Sequence, residues 1–150
     1  MSYANDMSRT TNADTELASA LQIAAMRLAR RLRAERTDSS LTLTQLAALA
    51  TLQRHGPLSP GELAAHERVQ PPSMTRVVAV LERRGLVTRA AHPTDGRQVL
   101  LSATAAAHRL LLADRRRREA WLVDRMAALS PAERAVLREA APLLERLAVS

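Results

Sequence analysis

The sequence predicts a mainly α-helical fold with a small β-hairpin wing (α+β), a winged helix-turn-helix flanked by N- and C-terminal dimerisation helices. Three observations predict it. Residues 58–102 read as two short helices, then two strands around a basic, Gly-containing turn. Apolar stripes at spacings of three and four flank that stretch on both sides. The formal net charge is +7, a balance that favours a polyanionic partner.

Each element has its own signal. Leu17, Leu21, Ala24, Leu28 and Leu32 form one stripe of a helix over residues 14–36, ended by the polar stretch Thr37 to Ser40. Thr42 and Gln45 make a capping box that starts a second helix, stopped by Gly56 and Pro57. Ser59 and Glu62 repeat the box, with Pro60 at the first helical position, for a short helix to about Arg68. Pro71 and Pro72 open a fourth helix that ends at Arg84, with Gly85 just beyond it. Its Met74, Val78 and Leu81 share a core-facing side. Leu86–Ala90 and Gln98–Leu101 read as strands, joined by a turn over residues 92–97 that carries Pro93 and the Asp95-Gly96 pair. Helix resumes from about Ala103 to Leu129. A third box at Ser130 and Glu133 begins the last helix, running to about Leu147, which Pro142 should kink or restart.

The 150 residues make one domain, or one domain with a dimerisation element. The expected division is a flexible tail over 1–13, a winged helix-turn-helix over 41–102, and a dimerisation region from 14–40 and 103–150. The flanking stripes exceed what the small central core can cover, so they are candidates for packing on a second copy. The aromatics are Tyr3 and Trp121 alone, which leaves a core of Leu, Val, Ala and Met. Trp121 reads as core or dimer interface. Cysteine is absent, which excludes disulfides, thiolate nucleophiles and Cys-ligated zinc. The polar opening residues lack the apolar segment of a signal peptide, and no run of about 18 apolar residues suggests a membrane span. A cytoplasmic protein without membrane contact is expected. Lysine is absent as well: a GC-rich coding bias explains this, and so does selection for guanidinium chemistry.

The fourth helix is the candidate reader of DNA. Ser73 and Arg76 lie three apart on one face of its first turns, where a recognition helix meets base edges, and Thr75 flanks them. Arg76 can donate two bonds to guanine, and Ser73 can bond a base or a phosphate. Met74 points into the core. The wing offers Arg97 to a minor groove, with Asp95 placed to orient its guanidinium by a salt bridge. Arg115 to Arg118 point nearly all round their helix and read as a solvated face, with Asp114 and Glu119 as i, i+4 partners. The histidines lack the paired spacing of a metal site on one helix, though two could meet across the fold. No hydrolase, P-loop, dinucleotide or zincin motif is present, so neither an enzyme nor a cofactor is expected.

The segments LTLTQLAALATLQRHGPLSPGELA, PPSMTRVVAVLERRGLV and HPTDGRQVLLSAT resemble the MarR family of regulators. The resemblance in helix order spans about Asp14 to Leu147. It implies a homodimer with interlocked terminal helices and a winged helix on each arm. It also implies that Pro72, Ser73, Arg76 and Arg97 match DNA-contacting positions. Such regulators commonly repress transcription at palindromes, and small phenolic or lipophilic effectors often release them. The missing cysteines exclude the family's oxidation-sensing switch, and the scarce aromatics leave a ligand pocket undefined. Two other readings stay open: an architectural DNA-binding protein without promoter targets, and a winged helix used for protein contact.

Overall fold

The structure, a computed structural model, describes residues 3–36, 38 and 40–149, with residues 3–11 and 149 as helical backbone only. Thr37 and Ser39, in the stretch expected to end the first helix, lie outside the described residues. The elements are α1 (Tyr3–Ala34), α2 (Leu43–His55), α3 (Pro60–Glu67), α4 (Pro71–Arg83), β1 (Val87–Ala91), β2 (Val99–Ala103), α5 (Ala105–Met126) and α6 (Pro131–Val149). The fold is mainly helical, with one antiparallel hairpin among the described residues, between α4 and α5.

The helix starts follow side-chain chemistry. Thr42 Oγ1 accepts from the Gln45 N–H (3.2 Å), and Gln45 Oε1 accepts from the Thr42 N–H (2.9 Å). Ser59 with Glu62, and Ser130 with Glu133, repeat the reciprocal pair at 3.2 and 2.7 Å. Each box satisfies two N–H groups that a helix start leaves open. The Ser59 and Ser130 bonds also hold the Glu62 and Glu133 carboxyls below the usual glutamate range.

Three expectations shift. Residues 1–13 were expected as a tail, yet α1 is helical from Tyr3, and no glycine or proline interrupts it before Ala34. Both strands begin one residue later than expected: the Leu86 N–H is used in closing α4, bonding the Leu81 carbonyl at 2.9 Å, and the Gln98 N–H turns back to the Asp95 carbonyl at 3.0 Å. Helix α6 passes through Pro142 without restarting. The lost N–H leaves only the carbonyl of exposed Arg138 unpaired within the helix, where water can serve it.

The chain forms two compact units, Arg36–Arg117 and the residues up to Glu35 together with those from Arg118 on. The division falls inside α5 rather than at residue 103. The first turns of α5 belong with the winged helix because Ala107 is wholly buried in its core, with Ala106, Leu110 and Leu111 packed against it. That core is Leu41, Ala48, Leu49 and Leu52 from α2 and its approach, Leu63 and Ala64 from α3, Met74, Val78 and Leu81 from α4, and Leu86, Val87 and Leu101 from the hairpin. In the hairpin Val87 pairs with Ala103, Arg89 with Leu101, and Ala91 with Val99. Leu58 adds a bridge to Leu101 on the outer edge of β2, with N–H···O bonds of 3.1 and 2.8 Å.

The second unit differs in kind. Among the described residues of α1 and α6, none is buried. Leu17, Leu21 and Leu28 of α1 are exposed, as are Val136, Leu137, Leu143, Leu144 and Leu147 of α6. Trp121 is half-buried, with the guanidiniums of Arg31 and Arg125 lying 5.3 and 5.6 Å from its ring centroid. Within the Arg36–Arg117 unit, Asp114, expected on a solvated face, is instead 3 % exposed.

Candidate nucleic-acid interface

Helices α3 and α4 form the helix-turn-helix, and the backbone of the turn explains its shape. The Arg68 N–H bonds the Ala65 carbonyl (3.2 Å), and the Val69 N–H bonds the Ala64 carbonyl (3.1 Å). This is a Schellman closure, which needs a left-handed residue just past the helix. That residue is Arg68, at φ 52° and ψ 41°. The end of α4 closes the same way, through Gly85 N–H to Glu82 and Leu86 N–H to Leu81 (both 2.9 Å), with Gly85 at φ 68°. Glycine takes this conformation freely, whereas a side chain costs about 1 kcal/mol or more. Arg68 is thus an exposed guanidinium held at the turn in spite of its backbone.

The start of α4 is sealed by proline. Pro71 and Pro72 have no N–H to offer, and the N–H groups of Ser73 and Met74 both bond the Gln70 carbonyl (2.9 and 3.1 Å). Side chains, not helix-end amides, are therefore the donors that this terminus presents. Pro72, Ser73, Thr75 and Arg76 are all exposed, while Met74, Val78 and Leu81 behind them are buried, as the spacing predicts. The Thr75 hydroxyl donates to the Pro71 carbonyl at 3.0 Å, which leaves it only acceptor capacity toward solvent. Arg76 makes no ion pair among the described residues.

The wing tip corrects one expectation. Asp95 does not hold the Arg97 guanidinium; its Oδ1 accepts the Arg97 backbone N–H at 3.1 Å. A short carboxylate side chain reaches the amide two residues on more readily than a long, mobile guanidinium. His92 Nδ1 accepts from the N–H groups of Thr94 and Asp95 (3.3 and 3.2 Å), and the Gln98 N–H closes on the Asp95 carbonyl (3.0 Å). The loop is braced internally, and the Arg97 side chain is exposed beyond it.

Two ion pairs escape any reading of local pattern. Glu82 Oε1 accepts from Arg89 Nε at 2.6 Å, tying α4 to β1 and raising the arginine's pKa further. Arg84, just past α4, bonds Asp38 and the Ser40 hydroxyl (2.7 Å to the latter). The Ser40 hydroxyl and N–H, then Arg84, hold the Asp38 carboxyl below its usual range. His55 and His66 meet across the fold as stacked rings 4.4 Å apart. Among the described residues no three metal-type side chains converge.

The geometry agrees with what the chain resembles. A family model described as MarR family matches residues 41–99. The HTH-type transcriptional regulator Mb0904 of Mycobacterium bovis is 50% identical over 133 residues, covering 89% of this chain and 93% of that protein. The HTH-type transcriptional repressor MdtR of Bacillus subtilis is 31% identical over 93 residues, covering 59% of this chain and 60% of MdtR. Among solved structures, a transcriptional regulator from Pseudomonas aeruginosa superposes with a TM-score of 0.83 at 39% identity, covering 91% of this chain and 96% of that one.

Proposed function

The chain belongs to the MarR family of DNA-binding transcriptional regulators, and from that premise we propose that it is a homodimeric cytoplasmic repressor acting at a palindromic operator. The observation that carries the DNA-reading part is the two-sidedness of α4. Three wholly buried side chains fix one face, while Ser73 and Arg76 stand exposed on the other, with Arg97 at the tip of the following wing. In this reading Arg76 forks onto a guanine, Ser73 donates or accepts beside it, Thr75 accepts, and Pro72 supplies rigid apolar contact. Arg97 enters a minor groove, and Asp95 shapes the loop that presents it.

The apolar faces of α1 and α6 support the dimer. Leu147 is 69% exposed and Leu17 58% in the single chain, a pattern that marks an interaction surface. A two-fold pair would set its reader helices in successive major grooves, about 10 bp apart. The kinship with MdtR supports repression rather than activation. Release by a small lipophilic ligand is what the resemblance implies, and a phenolic acid that weakens binding in a titration would establish it. Selection of bound sequences from random DNA tests the reading directly. Paired half-sites about one helical turn apart are expected; enrichment of single or unrelated sequences would overturn the palindromic dimer.

A further inference from the structure

Winged-helix binding requires two elements to reach two grooves together, and in this chain the outer strand of the hairpin has few means of holding its angle to α4. Strand β2 packs on the core through Leu101, with Val99 and Ala103 beside it, whereas β1 is anchored only at its start, by Leu86 and Val87. From Thr88 to Ala91 strand β1 is exposed. Side chains alternate along a strand, so Arg89 points to the same side as buried Val87, but beyond the edge of the core. There it reaches Glu82 in the last turn of α4, Nε to Oε1 at 2.6 Å. Its cross-strand partner is Leu101, which is bridged in turn to Leu58. The row Leu58–Leu101–Arg89 crosses the middle of the hairpin, and the ion pair ties the free end of that row to the reader helix.

We propose that Glu82 and Arg89 are positioning residues: their ion pair is a strut that sets the wing against α4, so that Arg76 and Arg97 engage DNA simultaneously. The proposal rests on the DNA-reading role given above. Simple electrostatics predicts the opposite behaviour. Glu82 is an anion on the reader helix, so neutralising it should strengthen attraction to phosphate. The strut predicts weaker specific binding when Glu82 is neutralised, because the wing contribution is lost.

The test is a double-mutant cycle on a selected operator. In the wild-type background Arg97→Ala should weaken binding about tenfold; in the Glu82→Gln background it should weaken binding by less than about threefold, since the contacts are coupled. Glu82→Gln alone should bind more weakly than wild type, and the swapped pair Glu82→Arg with Arg89→Glu should restore both affinity and coupling. Tighter or unchanged binding by Glu82→Gln, with the full Arg97→Ala effect retained, overturns the proposal. So does a loss on Arg89→Gln that leaves the Arg97→Ala effect at its full size, which would make Arg89 a phosphate contact independent of the wing. A second readout does not need DNA. The chain has no cysteine, and a side chain added at Gly96 meets nothing within 4 Å, so a nitroxide on Gly96→Cys reports the wing uniquely. Its spectrum should sharpen on Glu82→Gln; an unchanged spectrum refutes the strut. A wild-type protein that binds no DNA would refute the regulator reading instead, and the nitroxide would still decide the strut.

Discussion

Met74 and Arg76 stand two residues apart on α4, and their truncation should have opposite consequences. Met74 is fully buried, and with Val78 and Leu81 it forms the whole buried face by which α4 sits on the core. Removing its side chain leaves a cavity beneath the first turn of the reader. Met74→Ala should cost about 3 kcal/mol, within the 2–5 typical of buried Met or Leu truncations. For a unit of this size that lowers the melting temperature by about 12–24 °C, taking roughly 4–8 °C per kcal/mol. Arg76 is exposed, with no ion pair among the described residues to lose. Arg76→Ala should therefore change stability by no more than about 0.5 kcal/mol. On the operator it should lose about 1–3 kcal/mol and relax base preference at the contacted position. Urea unfolding at one fixed protein concentration, because a dimer's stability depends on it, and fluorescence anisotropy with labelled operator measure the two effects. Met74→Leu is the control and should cost less than about 1.5 kcal/mol. The reasoning fails if Arg76→Ala destabilises by more than 1 kcal/mol (about the surface limit doubled) while binding is unchanged. It fails equally if Met74→Ala is as stable as wild type.

Other consequences follow from the same geometry. Arg68→Gly relieves a left-handed side chain and should raise stability by up to about 1 kcal/mol, while weaker DNA binding and a shallower salt slope would identify the guanidinium as a phosphate contact. Arg97→Ala should weaken binding most on operators with A·T-rich flanks, where a narrow minor groove attracts arginine; equal loss on G·C-rich flanks would remove the wing from that groove. Leu147→Glu, at a 69% exposed position, should leave the single chain folded but yield monomers in sedimentation, with operator binding lost. Asp38, Glu62 and Glu133 all have carboxyls held below their ordinary values. Their stabilising contribution is complete above the ordinary carboxylate range and disappears as pH falls through the lowered values. In acid titrations followed by circular dichroism, the stability gap between wild type and Ser59→Ala should narrow over that window; a gap that stays constant would deny the carboxylate its part in the cap.

Most of the fold is written in local chemistry. Thr42, Ser59 and Ser130 start helices because a hydroxyl and a Glu or Gln three residues on satisfy the open N–H groups, wherever the rest of the chain goes. Gly85 ends α4 because only glycine adopts its backbone easily, and Met74, Val78 and Leu81 face inward because a helix repeats every 3.6 residues. These rules brought the exposed Ser73, Thr75 and Arg76 into view before any tertiary contact was known.

What tertiary structure alone decided is the set of partners chosen by proximity in space. Glu82 found Arg89 across a helix–strand junction, and Arg84 found Asp38 from the far side of three elements. Helix α5 divides at Arg117, not at its start, because Ala107 fits a core that earlier elements built. Periodicity and capping act over a few residues, so a sequence displays them openly. The angle of a wing and the pairing of distant charges depend on how packed elements meet, and that is settled only once the core of Arg36–Arg117 has closed.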